Sequence, residues 1–197
     1  MNRREALRWA TVLLGGIVSP GVLRAITEDA GPSRDNGKYF TAFQSRQVAI
    51  LTELIIPTTT TPGAIAAGVP RFIAMMVSDW YTDTERSIFM TGLDDINHHC
   101  QQQYNKHFNA CSTEQLIAAL SYFESVAKTY TSAVPPSLTM QSSDEATPFF
   151  SKLKELTILG YFTSEIGITE SLAYDPMPME YNADIAFTEK TKQWSQY

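Results

Sequence analysis

The sequence predicts an all-α protein: a compact single-domain helical bundle of about five to seven helices, with an extended N-terminal linker and a C-terminal tail. Three observations predict it. Apolar residues recur at three- and four-residue spacing along most of 42–161. Two boxes of the form Ser/Thr-x-x-Glu/Gln stand ahead of such runs. No segment alternates apolar and polar residues as a half-buried strand does.

The elements follow in order. Residues 42–56 set Val48, Leu51, Leu54 and Ile55 on one helical face, and Pro57 ends that helix because it lacks an amide hydrogen. Thr61-Pro62 reads as an N-cap followed by proline at the first helical position, which predicts a short helix stopped by Gly68. Pro70 opens another helix, lined on one side by Phe72, Ile73, Met76, Val77 and Trp80. Thr82 with Glu85 is a capping box for a long helix from Asp83 to Tyr104 that buries Ile88, Phe89, Leu93 and Ile96. Ser112 with Gln115 is the second box, ahead of Leu116, Ile117, Leu120, Phe123 and Ala127. Residues 131–147, rich in Ser, Thr and Pro, predict a loop. Thr147-Pro148 caps a helix through Leu159 with Phe150, Leu153 and Leu156 on its core face, extending to Tyr161. From Tyr174 onward, Pro176 and Pro178 predict an extended tail.

The first 25 residues read as an address. Arg3 and Arg4 form a twin-arginine pair, followed by Leu7 and Arg8 and then an apolar run from Trp9 to Val18. That run is about half the roughly twenty residues a membrane span needs, so it fits a signal h-region. The expected organisation is a twin-arginine signal peptide at 1–25, a linker at 26–40, a helical domain at 41–180 and a tail at 181–197. Cleavage after Ala25 would remove Arg3, Arg4, Arg8 and Arg24 against Glu5 alone, leaving the mature chain more acidic than the full sequence.

Composition closes several function classes. The net charge of -6 lacks the basic footprint of nucleic-acid binding, so no nucleic-acid partner is expected. Two cysteines are too few for an ordinary iron–sulfur cluster, and no C-x-x-C-H run exists for covalent haem. The common phosphate-loop, dinucleotide, nucleophile-elbow and zinc-protease runs are missing too. No catalytic, cofactor-binding or metal-binding residue is therefore expected on this chain.

Three stretches carry a resemblance. The first is LTELIIPTTTTPGAIAAGVPRFI, with Pro57, Pro62, Gly63, Ala64, Gly68, Val69 and Pro70. The second runs from Trp80 through Gly92-Leu93. The third is GYFTSEIGITESLAYDP, with Gly160, Tyr161, Ser164, Glu165, Gly167, Leu172, Tyr174, Asp175 and Pro176. Together they resemble the gluconate 2-dehydrogenase subunit 3 family over roughly residues 42–180. Met179, after Pro178, departs from the family's glycine. The resemblance implies a non-catalytic small subunit of a periplasmic complex. In such a complex a large glucose–methanol–choline-type flavoprotein holds FAD, and a cytochrome c subunit holds haem c. The small subunit would bring the export signal, engage the twin-arginine translocase, assist folding and stability of the flavoprotein, and meet the membrane only through the complex. The alternatives are a transient export chaperone and an independent periplasmic small-molecule-binding helical protein.

Candidate site residues are weighed against plainer roles. Pro62, Gly63, Tyr161, Phe162, Ser164, Tyr174 and Pro176 form a candidate partner interface, since rigid aromatic side chains make strong anchors. The same residues could instead close the domain's own core, and Pro62-Gly63 could simply be a turn. Cys100 and Cys111 are a candidate disulfide worth about 2–3 kcal/mol, given the short loop between them. Two buried thiols, or a bridge to a partner, fit as well. His98 and His99 point about 100 degrees apart on a helix and cannot readily share a metal ion, and His107 stands apart, so all three are expected as surface residues. Asp94 and Asp95 are neighbours on a helix and read as a solvated face.

Overall fold

The structure is a computed structural model and describes residues 40–130, 146–174, 177, 188 and 191–194. The expected export residues Arg3, Arg4, Leu7 and Arg8, the interface candidate Pro176 and most of the 131–147 loop lie outside the described residues. Five α-helices are described: α1 (Ala42–Ile55), α2 (Val69–Asp79), α3 (Asp83–Tyr104), α4 (Thr113–Lys128) and α5 (Phe149–Phe162). A 3-10 turn (Phe108–Ala110) and a π-helical turn (Gly167–Ser171) complete the helical set. No strand occurs among the described residues. A parallel bridge joins Ala173 to Trp194, where the Ala173 N–H donates to the Gln193 carbonyl at 2.8 Å.

Three helices begin with a complete capping box. At α1 the Gln44 N–H donates to the Thr41 hydroxyl and the Thr41 N–H to the Gln44 side chain. Thr82 with Glu85 and Ser112 with Gln115 repeat the arrangement at α3 and α4. Each box satisfies amides that a helix start leaves without intrahelical partners. α2 starts differently. Gly68 is its N-cap at φ 75, left-handed backbone that a side chain would strain, and Pro70 follows within the first turn.

The core is the joint product of all five helices. α5 packs on α2, α1, α3 and α4, with α1 on α2 and α3 on α4. Phe89, Ile73, Leu93, Ile96, Leu153, Ile50 and Leu51 are fully enclosed. Gly92 lets α5 approach α3, because a Cβ there would collide with the Phe149 ring. Gln47, also enclosed, donates to the Leu93 carbonyl at 3.0 Å and ties α1 to α3.

Several expectations are corrected. The short helix after Thr61-Pro62 is reduced to a hydrogen-bonded turn at residues 64–68: the Ala64 amide returns to the Ile56 carbonyl and the Ile65 amide goes to Glu53, so only the Ala67 N–H to Gly63 carbonyl bond has helical spacing. Trp80 does not line the α2 stripe. It sits past the last turn, as the C-cap, and is 75% exposed. Ile117 is likewise exposed on the outer side of α4. Pro148 rather than Thr147 is the N-cap of α5, which runs one turn beyond Leu159. Phe40, at the end of the expected linker, belongs to the body and stacks on Phe89 with ring centres 6.1 Å apart. Among the described residues of the tail, Trp194 bridges to Ala173.

Candidate partner interface

The loop between α1 and α2 is built around one carboxylate. Glu53 is fully buried on the last turn of α1. Its Oε1 accepts from the Thr58 N–H at 2.9 Å and the Thr58 hydroxyl at 2.7 Å, and its Oε2 accepts from the Ile65 N–H at 2.9 Å. The Thr58 hydroxyl in turn accepts from the Gly63 N–H at 3.1 Å. Gly63 has to be glycine here, since a Cβ would strike both Glu53 oxygens and stand 2.6 Å from the Thr58 nitrogen.

Tyr161 joins this loop to the far end of the chain. Its hydroxyl donates to the Pro62 carbonyl at 2.7 Å and lies 2.7 Å from the Ser171 hydroxyl. Ser164 stitches the next turn. Its hydroxyl donates to the Tyr161 carbonyl at 2.7 Å and accepts from the Gly167 N–H at 3.0 Å. The structure therefore gathers Pro62, Gly63, Tyr161 and Ser164 at one end of the bundle. Gly63 and Tyr161 are buried, the latter with 2% of its surface exposed, and serve the chain's own packing.

Exposed aromatic residues follow Tyr161 in the chain, among exposed polar ones such as Thr163, Glu165 and Glu170. Phe162 packs edge-on to Tyr161 at 5.2 Å between ring centres and is 41% exposed. Tyr174 and Trp194 flank the Ala173 bridge and are 47% and 50% exposed. Of the seven interface candidates, Phe162 and Tyr174 thus present aromatic surface, while Pro62 and Ser164 are half-buried.

The family model for gluconate 2-dehydrogenase subunit 3 matches residues 42–179, from the first turn of α1 to past the tyrosine clamp. The chain belongs to the gluconate 2-dehydrogenase subunit 3 family. No curated protein and no solved structure matches it. Subunit 3 is, by that description, an accessory subunit of a dehydrogenase complex, so association with a catalytic subunit follows from the family.

The remaining candidates of this subunit 3 chain fall elsewhere. Cys100 and Cys111 are both buried as free thiols, the alternative to the candidate disulfide. His99 is not a bare surface residue: its ring stacks on Tyr122 at 4.5 Å and meets Phe123 edge-on, joining α3 to α4. Among the described residues, no group of three His, Cys, Asp or Glu side chains converges as a metal site. No described helix is long and apolar enough to cross a membrane. A shallow groove of about 310 Å³ between α3, α4 and the start of α5 is floored by Phe123, Ala127, Phe149 and Phe150, and its one charged residue, Asp95, is exposed.

Sequence reasoning missed Glu53, Thr58 and Ser171. The signal for Glu53 was a single acid inside the apolar run LTELII, directly ahead of a threonine-rich loop full of donors. A buried ion pair was missed as well. Lys152 on α5 donates to Glu85 Oε1 at 3.0 Å, with side chains 3% and 9% exposed. Burial alone would raise the Glu85 pKa, but the Lys152 ammonium together with the Thr82 amide and hydroxyl hold it below the usual carboxyl range. Burial, then the Glu85 and Glu155 charges, push the neighbouring Tyr81 phenol up.

Proposed function

We propose that this chain is the non-catalytic small subunit of a periplasmic FAD-dependent dehydrogenase complex of the gluconate 2-dehydrogenase kind. The catalytic subunit is a large glucose–methanol–choline-type flavoprotein that holds FAD, and a cytochrome c subunit with haem c takes the electrons onward. The chain supplies the twin-arginine signal at Arg3-Arg4, with Leu7 and Arg8, and through it takes the folded flavoprotein through the translocase. It remains bound afterwards as a stabilising partner and meets the inner membrane only through the complex.

Family membership over residues 42–179 is the observation that carries this reading. The engagement of the buried charges adds support, because Glu53, Glu85 and Lys152 are occupied in holding loops and helices together. This reading assigns docking to the exposed aromatic side chains Phe162, which packs on Tyr161, and Tyr174 and Trp194, beside the Ala173 bridge.

Co-expression with the flavoprotein tests it. The wild-type pair is expected in the periplasm as a stoichiometric complex, and a variant with Arg3→Lys and Arg4→Lys leaves both chains in the cytoplasm. Flavoprotein reaching the periplasm without this chain would exclude the escort role. A Phe162→Asp, Tyr174→Asp variant is expected to lose co-purification while its own melting temperature stays near wild type. Undiminished co-purification would move the docking patch elsewhere.

A further inference from the structure

The groove between α3, α4 and the start of α5 combines an apolar lining with acidic charge. Phe123, Ala127, Phe149 and Phe150 floor it, and Val126, 48% exposed, lines it as well. It runs on into a second hollow of about 400 Å³ between α4 and α5, which shares Ala127 and Phe150 with the first. Asp95 lines the first hollow and is exposed, as is Asp94 next to it in sequence. Apolar surface left to water favours an occupant with apolar side chains, and Asp95 favours one that brings positive charge.

The described chain begins two ring contacts away from this groove. Phe40 stacks on Phe89, and Phe89 meets Phe149 edge-on at 5.2 Å between ring centres. Phe149 lines the groove. Thirty-nine residues precede Phe40. They include the uncharged, mostly apolar stretch Trp9–Val18, with Arg3, Arg4 and Arg8 ahead of it and Glu5 the only acid among them. Twenty-one residues lie between Val18 and Phe40, a length that can reach up to about 70 Å, far beyond two ring contacts. Tethering makes the encounter intramolecular, so a weak intrinsic affinity suffices to fill the groove.

We propose that this groove binds the Trp9–Val18 stretch of the same chain, with Asp95 receiving one of the arginines that precede it. Apolar side chains of the stretch leave water against Phe123, Phe149 and Phe150, and the arginine–Asp95 attraction fixes which way the stretch enters. In this state the body of the chain holds its own N-terminal stretch away from other binders. Release follows when a competitor takes the groove or when the stretch is cut from the chain. Docking is a property of the uncleaved chain by itself, so it stands or falls separately from the complex proposed above.

The experiment uses the full uncleaved chain. Trp80→Phe and Trp194→Phe, both at exposed positions, leave Trp9 as its only tryptophan. Trp9 emission is expected at short wavelength and shielded from acrylamide, independent of protein concentration. In that background Val126→Arg sets bulk and positive charge in the groove, and Asp95→Lys reverses its acidic charge. Each is expected to move the emission to longer wavelength and raise quenching severalfold, with far-ultraviolet circular dichroism unchanged. Leu13→benzoylphenylalanine on the otherwise unmodified chain gives a readout that needs no change in the groove. Irradiation is expected to crosslink it within one chain to peptides containing Phe123, Ala127, Phe149 or Phe150. Freely quenched Trp9, shielding that either groove variant leaves intact, crosslinks that join two chains, or crosslinks that map outside the groove would each overturn the proposal.

Discussion

At the scale of single residues, the strongest constraints surround Glu53. A carboxylate only accepts, and the Thr58 N–H, the Thr58 hydroxyl and the Ile65 N–H all donate to that of Glu53. Gly63→Ala is expected to cost about 2–3 kcal/mol, since its methyl group is driven into that carboxylate and the Thr58 backbone. Urea unfolding checks the value, and an unchanged midpoint would show that the loop relaxes freely. Tyr161→Phe removes the hydroxyl between Pro62 and Ser171 and keeps the ring, so a loss of about 1–2 kcal/mol is expected by the same measurement. Gly63 and Tyr161 were legible as members of a motif, yet their role was not. A motif gives residue types and spacing, whereas the partner of Tyr161 lies 99 residues earlier in the chain. No local pattern encodes a contact of that span.

At the scale of elements, local chemistry was well legible where it is self-contained. The Thr82/Glu85 and Ser112/Gln115 boxes place the starts of α3 and α4 because donor and acceptor lie three residues apart. The 57–68 loop defeated the same logic, since Thr61-Pro62 carries a helix-start signal that Glu53 overrides. The end of α2 is a second case. Arg86, from the first turn of α3, donates to the Val77, Ser78 and Tyr81 carbonyls and also pairs with Asp83 at 2.7 Å. A cation there satisfies carbonyls that the helix end leaves open and complements its partial negative charge. Arg86→Gln is expected to destabilise by about 1–2 kcal/mol and to speed amide exchange in the last turn of α2 before that of α5. Uniform acceleration across all helices would contradict a local cap.

For the molecule as a whole, the all-α class and the order of helices were plain in the periodicity, while the charge inside was not. Lys152 sits in a mostly apolar buried stripe of α5, and Glu85 looked fully employed as a capping residue. Lys152→Met is expected to cost about 3–5 kcal/mol, because Glu85 is left without its buried counter-ion. The direction of the Glu85 shift fixes the pH dependence. With its folded pKa lowered, Glu85 contributes stability that is fully present above the ordinary carboxyl value of about 4 and is lost as pH falls through the lower folded value. Glu85→Gln should therefore flatten the acid side of the stability curve below about pH 4. A curve parallel to wild type in that range would assign the acid sensitivity to other carboxyls.

The reach of the Tyr161 hydroxyl back to Pro62 also sets a schedule for biosynthesis. While a ribosome still holds the chain short of α5, the faces of α1, α2 and α3 that α5 covers stay wet, and the Pro62 carbonyl has no phenol to receive. Native structure thus waits for nearly the entire polypeptide to emerge, and an arrested nascent chain ending before residue 149 should be digested readily by protease.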